Sequence, residues 1–571
     1  MCGIIGINSN EEFYIKDAVK RLKRLEYRGY DSFGYYDGTI LFNQVGHIKI
    51  PNTDDKSSRI ILHTRWATHG GVTKFNAHPH QSTKKKVTIA HNGIIKNYEE
   101  LREKLIKKGH EFTSETDSET TAHYFEEKLK TKTIKEACID FLNDIEGEFA
   151  LVIMVEGNEN IYALRRDSPL VLGVGTNTNY VASDIYAFSD ITNMAIFFEN
   201  NEFAEIGTDH FQFYDKKGQK IQKEVQTFKW EQEESTLQNY DHFMMKEIME
   251  EPIVVKRLLF SLKTEQKINF EKFIDLMRKA KKVTFVAAGT SYHASLLGVY
   301  YLHKCGIEAQ TIIASEFEHF IGVDKDTLVI PISQSGETMD VIEALKYATK
   351  HGAKIASIVN VPYSTIQRIS EISLNIFAGQ EICVAATKSF VNQVTLMLAI
   401  AKEFGYNVNL ENLPQRIEEV FTMKETIKEI AKTLFKQKHL YVLGRGLSYP
   451  VAREIALKIK EISYIHAEGM MGGELKHGTI ALIEKGTPVI GLLNENDYDM
   501  RSNLKEVAAR GANVISISNK LKGDIMISTS NDGKFGILAS IVGQLLTYYL
   551  ARELKLPIDK PRNLAKSVTV K

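Results

Sequence analysis

The chain has 571 residues, of which 43% are hydrophobic, 25% charged and 11 proline. At about 150 residues per domain this is three or four folded units, and the composition excludes a disordered or fibrous chain. Lys+Arg and Asp+Glu both total 72, so the formal net charge is zero, which argues against nucleic acid or an anionic membrane as the main partner.

The chain opens Met-Cys-Gly-Ile-Ile-Gly and reaches Asn8 without the basic region, apolar run and cleavage site of a signal peptide, so export is not expected. Cys2, Cys138, Cys305 and Cys383 form no C-x-x-C pair. Neither a disulfide framework nor a zinc site is expected, and a reducing cytoplasm fits. Up to about Phe228, β-like runs at 87–90 and 149–155 alternate with helical stretches at 15–25 and 97–108, the second carrying Leu101 and Leu105 four apart on one face.

Cys2 stands out because removal of Met1 would leave a thiol and an α-amino group on one residue. An amine with a pKa of about 8 is a nearby base for a thiol with a pKa of about 8.5. In isolation Cys2 reads as a small residue at a chain end, Asn92-Gly93 as a hairpin turn, and Arg65 or Asp117 as surface charges. Six blocks change that reading: Cys2-Gly-Ile-Ile-Gly6, Tyr27-Arg28-Gly29-Tyr30-Asp31-Ser32, His63-Thr-Arg65-Trp66-Ala-Thr-His69-Gly70, Asn76-Ala-His78-Pro79, His91-Asn92-Gly93 and Ser114-Glu-Thr-Asp117. Together they resemble the N-terminal-nucleophile glutaminase domain of amidotransferases. The resemblance implies an α+β fold, an αββα sandwich, in which Cys2 attacks the side-chain amide of glutamine. It also implies an oxyanion hole made by the Asn92 side chain and the Gly93 backbone N–H. Arg65 would grip the α-carboxylate as a planar fork, Asp117 would accept from the α-ammonium, and Trp66 would gate an ammonia passage. His63, His69, His78, His80 and His91 fit no single helix face and have no carboxylate cluster among them, so no metal is expected.

Residues 230–240 turn polar and acid-rich and are the best linker candidate; a helical pattern follows from His242 to about Phe260. Beyond it the chain repeats itself. Strand-like runs at 283–287, 328–332 and 354–358 recur at 440–443, 488–492 and 513–517, an offset of about 157 to 160 residues. The strand, turn, helix order predicts two parallel sheets wrapped by helices, with ligands at the carboxyl ends of strands. Ser333-Gln334-Ser335-Gly336-Glu337-Thr338 offers hydroxyls, an amide and free backbone N–H groups to an anion, although a plain helix cap explains it about as well. Ile455, Ile459 and Ile462 mark a buried stripe that leaves Lys458 and Glu461, three apart, on an adjacent face, where a surface ion pair is the default reading. Residues 535–551 are apolar but interrupted, and read as a buried helix.

These blocks, with Tyr240-Asp-His242-Phe-Met-Met-Lys246-Glu247-Ile248, Glu474-Leu-Lys476-His477-Gly478 and the tail Pro561-Arg562-Asn563-Leu564-Ala565-Lys566-Ser567, resemble the glutamine:fructose-6-phosphate amidotransferase family nearly end to end. By that resemblance Ser291, Ser333, Gln334, Ser335 and Thr338 bind a sugar phosphate, with Val384 in the same site. Lys566 forms a Schiff base with the open-chain ketose, His477 assists ring opening, Glu461 moves a proton between C1 and C2, and Lys458 lies near the sugar oxygens. The implied reaction hydrolyses L-glutamine and passes the ammonia to D-fructose 6-phosphate, giving D-glucosamine 6-phosphate and L-glutamate. No cofactor is implied, and His477 reaching a partner subunit implies a homodimer.

The expected division is 1–228 glutaminase, 229–262 linker and connecting helix, 263–415 and 416–557 sugar-isomerase domains, and 558–571 a tail at the sugar site. Departures from the family pattern lie at Ala287-Ala288, at Gln380 and Ala386 around Val384, at residues 469–473, and in a trimmed stretch between Gly34 and Ile60. A phosphoribosyl-type amidotransferase would need an Asp-Asp loop after a strand, and Asp54-Asp55 follows no apolar run. A non-catalytic sugar-phosphate sensor would be expected to lack the base and imine positions, yet Glu461, His477 and Lys566 are all present.

Overall fold

A computed structural model describes residues 2–67, 69–228, 236–320, 322–494, 497–520, 522–529 and 532–568. Residues 1–232 with 567–571 form one compact unit, and residues 233–566 a second. Residues 229–235 of the expected linker and 569–571 of the tail lie outside the described residues.

Alternation at period two builds the first unit. In the strand Val87–Ile95, Val87 and Ile89 pack with Ala122, Phe125 and Phe141 of the helices Asp117–Lys128 and Ile134–Asp144. Ala90 points the other way, toward Ile4 and Ile61. The paired strand Gly147–Val155 repeats the pattern: Phe149, Leu151 and Ile153 face the helices, while Ala150, Val152 and Met154 face the opposing sheet. A seven-stranded sheet thus carries helices on one face and an eight-stranded sheet on the other. Helix Ile15–Arg24 buries Ile15, Ala18, Val19 and Leu22 against strands Gly3–Tyr14 and Lys56–Arg65 of the larger sheet. The expected αββα sandwich is present, with antiparallel pairing in both sheets.

The second unit contains two five-stranded parallel sheets of the same topology. In the first, strand Lys282–Ala287 lies between Ala309–Ile313 and Thr327–Ser333, and Lys354–Val359 and Ile372–Asn375 follow. In the second, His439–Gly444 lies between His466–Met471 and Pro488–Leu493, followed by Asn513–Ser518 and Ile525–Met526. The repeat read from sequence is therefore a repeat of fold. Strand order reverses between the first and third strands of each sheet, where the crevice at the carboxyl ends takes ligands. One apolar core joins residues of both sheets with the 22-residue helix Asp532–Glu553. Among the described residues this is the one helix long and apolar enough to cross a membrane, and its apolar stretch is buried inside the protein.

The helical pattern expected from His242 to about Phe260 is two helices, Phe243–Met249 and Glu251–Ser261. Pro252 stands in the first turn of the second helix. Proline has no N–H to donate and its ring excludes the preceding turn, so it starts a helix more readily than it continues one.

Candidate active sites

Cys2 immediately precedes the strand Gly3–Tyr14, whose Gly3 pairs with Thr64 of Lys56–Arg65; Arg65 and Trp66 therefore follow on the neighbouring strand. The Trp66 backbone N–H donates to Cys2 Sγ at 3.2 Å. Burial pushes the thiol up, while that N–H and the charge of Arg65 oppose it. Met1, whose removal the amine-as-base reading requires, lies outside the described residues.

Asn92 and Gly93 are not a turn. They sit inside the strand Val87–Ile95, paired with Ala150 and Phe149. Asn92 Nδ2 donates to the Cys2 carbonyl at 2.9 Å, and Asn92 Oδ1 lies 3.1 Å from His63 Nε2. His63 Nε2 also lies 3.0 Å from the His91 carbonyl. Two acceptors around Nε2 assign the ring proton there, and this in turn fixes which end of the Asn92 amide faces Cys2. Burial drops the His63 pKa to about 3, so the ring is neutral. Gly93 has φ +119°, and a Cβ there would stand 1.9 Å from the Glu148 carbonyl oxygen, so only glycine fits.

Arg65 and Asp117 are both buried rather than surface charges. The Arg65 guanidinium donates to the Gly71 carbonyl at 3.1 Å and to the carbonyl of His69. Asp117 is the first residue of the helix Asp117–Lys128, and its Oδ2 accepts from the Ile95 N–H at 2.8 Å. Cys2, Arg65, Trp66, Asn92, Gly93 and Asp117 line one cleft. The Trp66 indole meets Tyr30 edge-on, with ring centroids 5.5 Å apart. The front of the chain thus gathers a sulfur, a buried guanidinium, a buried carboxylate and an amide side chain around one cleft, a set that could serve acyl transfer from a zwitterionic amide. Of the histidines, His63 stacks on His78 at 4.1 Å between centroids, and burial lowers the pKa of both.

In the second unit the phosphate candidates sit at the topological switch of the first sheet. Ser291 lies in the first turn of helix Gly289–Lys304, after the first strand, and its Oγ accepts from Gln393 Nε2 at 2.9 Å. Ser333 ends the third strand; its Oγ lies 3.1 Å from Thr338 Oγ1 and accepts from the Gly336 N–H at 3.0 Å. Gln334 and Ser335 continue that loop, and Thr338 stands at the N-cap position of helix Met339–Lys350 without a capping bond from its side chain. Ser335 Oγ accepts from the Glu337 N–H at 3.1 Å. Gly336 has φ +66°, which turns the loop back so that hydroxyls and backbone N–H groups converge.

Helix Ser448–Ser463 holds Lys458 and Glu461. Lys458 is buried, so the pair is not a surface one; its Nζ lies 2.5 Å from Glu461 Oε2 and 3.5 Å from Glu454 Oε1. The two carboxylates raise the lysine pKa against the pull of burial. Val384 is half-buried, and its N–H donates to the Asp559 carbonyl at 3.0 Å, tying this loop to the chain end. Lys566 reaches the same loop: its Nζ lies 2.5 Å from Glu381 Oε2 and 2.8 Å from the Cys383 carbonyl. His477 closes the short turn Glu474–His477 and is exposed, and among the described residues no hydrogen bond joins it to Lys458, Glu461 or Lys566.

Further residues hold these side chains in place. Glu381 partners Lys566, Gln393 holds Ser291, and Glu454 accepts from His293 Nδ1 at 2.7 Å and from Thr290 Oγ1 at 3.0 Å. Of these, Glu454 is legible in the sequence, four residues before Lys458 and seven before Glu461 on one helix, whereas Glu381, Gln393, His293 and Thr290 carry no such signal.

The sequence matches the SIS domain family over residues 276–402 and 433–550, and the glutamine amidotransferase domain family over 63–190. Proteins named glutamine–fructose-6-phosphate aminotransferase (isomerizing) are similar along their whole length: 41% identical from Thermococcus kodakarensis and 38% from Clostridium acetobutylicum, with both chains fully covered. Among solved structures, the C-terminal domain of glucosamine-fructose-6-phosphate aminotransferase from Francisella tularensis matches at 32% identity and a TM-score of 0.54, covering 57% of this chain and all of that one. Tagatose-6-phosphate ketose/aldose isomerase from Escherichia coli, at 15% identity and TM-score 0.50 over 56% of this chain and 96% of its own, shares the fold. The chain belongs to the isomerizing glutamine–fructose-6-phosphate aminotransferase family.

Proposed function

We propose that the protein hydrolyses L-glutamine at Cys2 and uses the ammonia to convert D-fructose 6-phosphate into D-glucosamine 6-phosphate, releasing L-glutamate. The observation that carries this reading is that one chain, similar throughout its length to aminotransferases of that name, holds two chemically distinct sites.

In the first site, Cys2 attacks the carboxamide carbon of glutamine. Arg65 and Asp117 bind its α-carboxylate and α-ammonium, and Asn92 Nδ2 with the Gly93 N–H stabilises the oxyanion. Asn92 Nδ2 now donates to the Cys2 carbonyl, so it exchanges that acceptor for the oxyanion as charge develops. We assign Trp66 as the gate for departing ammonia, since its backbone N–H already touches the sulfur.

In the second site, Ser291, Ser333, Gln334, Ser335 and Thr338 hold the phosphate without lysine, through hydroxyls and backbone N–H groups. Lys566 forms the imine with the opened ketose, Glu461 carries the proton between C1 and C2, and Lys458 neutralises sugar oxygens as charge moves. His477, exposed in one chain, serves ring opening in the site of a second copy, which makes the working unit a homodimer. Free cysteines throughout suit a cytoplasmic location.

The test is to incubate the protein with glutamine and fructose 6-phosphate and assay glutamate and hexosamine separately. Equal amounts are expected; glutamate formed without hexosamine would sink the synthetic half of the proposal. Light scattering should give twice the 64.7 kDa chain mass.

A further inference from the structure

Lys566 is held by a carboxylate that no expectation from sequence included. The Glu381 side chain is fully shielded from solvent, and that of Lys566 is 4% exposed. Glu381 Oε1 accepts from the Thr387 N–H at 2.9 Å and the Ser389 N–H at 3.1 Å, while Oε2 accepts from Ser389 Oγ at 2.7 Å and from Lys566 Nζ at 2.5 Å. Burial pushes this carboxyl up, but Lys566 and the surrounding donors hold it at about 2, so it is an anion. Close by, Glu247 is pushed to about 8 and is largely neutral below that pH, and Lys388 is paired with Glu250 at 2.8 Å. Among the described residues Lys566 is therefore left with Glu381 as its fixed counter-charge. Buried ion pairs are a poor source of stability, since an apolar replacement is often as good. The placement of this one on the imine-forming lysine points to use in the reaction.

We propose that Glu381 is the counter-ion of Lys566 during imine formation, a positioning residue whose carboxylate balances the nitrogen as ammonium before attack and as iminium after it, the neutral amine that attacks C2 arising by loss of one of the two protons that end in the water. This rests on the assignment of Lys566 as the imine-forming residue. In the net step the Lys566 ammonium and the C2 carbonyl of the open-chain ketose give an iminium and water. The N–C2 bond forms, the C2–O bond breaks, two nitrogen protons leave in the water, and the charge on the nitrogen side stays at +1. A fixed anion beside that nitrogen serves both ends of the step without reorganising. It also keeps the adduct an iminium, the electrophilic form that ammonia attacks at C2, rather than a neutral imine.

Full-length protein is mixed with fructose 6-phosphate and sodium cyanoborohydride, which reduces iminium, and the adduct is located by peptide mass spectrometry. Lys566 of the unaltered protein should be alkylated. Glu381→Gln keeps a carbonyl oxygen for the Thr387 and Ser389 N–H groups but removes the charge. It should bind fructose 6-phosphate within about threefold of normal yet trap the adduct about 100-fold more slowly, with kcat for hexosamine falling in step and KM little changed. Glu381→Asp, which draws the charge back by one methylene, should slow trapping only about tenfold. Trapping at the normal rate in either variant overturns the counter-ion role while leaving the imine intact. Absence of any Lys566 adduct in the unaltered protein overturns the imine assignment and Glu381's part in it together.

Discussion

Glu454 Oε2 accepts from His293 Nδ1 at 2.7 Å, a bond that joins the helix following the first strand of one parallel sheet to the corresponding helix of the other. The same carboxylate lies 3.5 Å from Lys458 Nζ, which contacts Glu461 at 2.5 Å. The proposed proton carrier is thus positioned through a buried chain that crosses between the two repeats.

Removing the centre of that chain should be costly. Glu454→Ala leaves Lys458 buried with one partner, and we expect a loss on the order of 3 kcal/mol, read as a lower urea midpoint, together with loss of hexosamine synthesis. Although burial raises it, Lys458 and His293 hold the Glu454 pKa below its ordinary value. The stability it contributes is therefore present above the unfolded pKa of about 4.3 and is lost as pH falls through the lower folded value. Unfolding midpoints of the unaltered protein and Glu454→Gln should converge in acid; a gap independent of pH would count against this.

Asn92→Ala removes an oxyanion donor and should lower kcat for glutamine hydrolysis about 10²- to 10³-fold with a small change in KM. Gly93→Ala should do at least as much damage, because its Cβ cannot be accommodated beside the Glu148 carbonyl. Steady-state glutaminase kinetics check both, and a normal kcat in Asn92→Ala would remove it from the oxyanion hole.

The two chemistries should separate by mutation. Cys2→Ala should abolish glutamine-dependent activity, whereas Lys566→Arg should abolish hexosamine formation and leave glutamine hydrolysis measurable. Hexosamine made at the normal rate by Lys566→Arg would exclude the imine at that position.

Glu247 offers a pH test of a different sign. Burial first, then the neighbouring Glu381, raise its pKa to about 8, with Lys566 and Lys388 opposing. The folded state therefore binds a proton that the unfolded chain gives up near pH 4.3, so stability falls as pH rises from about 4.3 to about 8. Glu247→Gln keeps an oxygen for the Cys383 N–H, which Glu247 Oε1 accepts at 3.1 Å. Its melting temperature should equal that of the unaltered protein near pH 5 and exceed it by pH 8; a constant difference would contradict the assignment.

Local information determined much of this protein. Six ordered blocks pointed to a cysteine nucleophile, and the spacing of apolar runs found three of the five strands in each copy of a parallel sheet, to within one residue at each end. Both signals are written in short windows, as side-chain periodicity and turn chemistry. Tertiary structure decided what those windows cannot hold. Asn92-Gly93 taken in isolation reads as a turn, and strand pairing instead places it inside a strand with Asn92 against Cys2. Pro252 divided a pattern that looked like a single helix. Glu381 and His293 become partners of Lys566 and Glu454 across 185 and 161 residues of sequence. Which charges share an interior depends on burial, and burial is a property of the packed chain rather than of any segment of it.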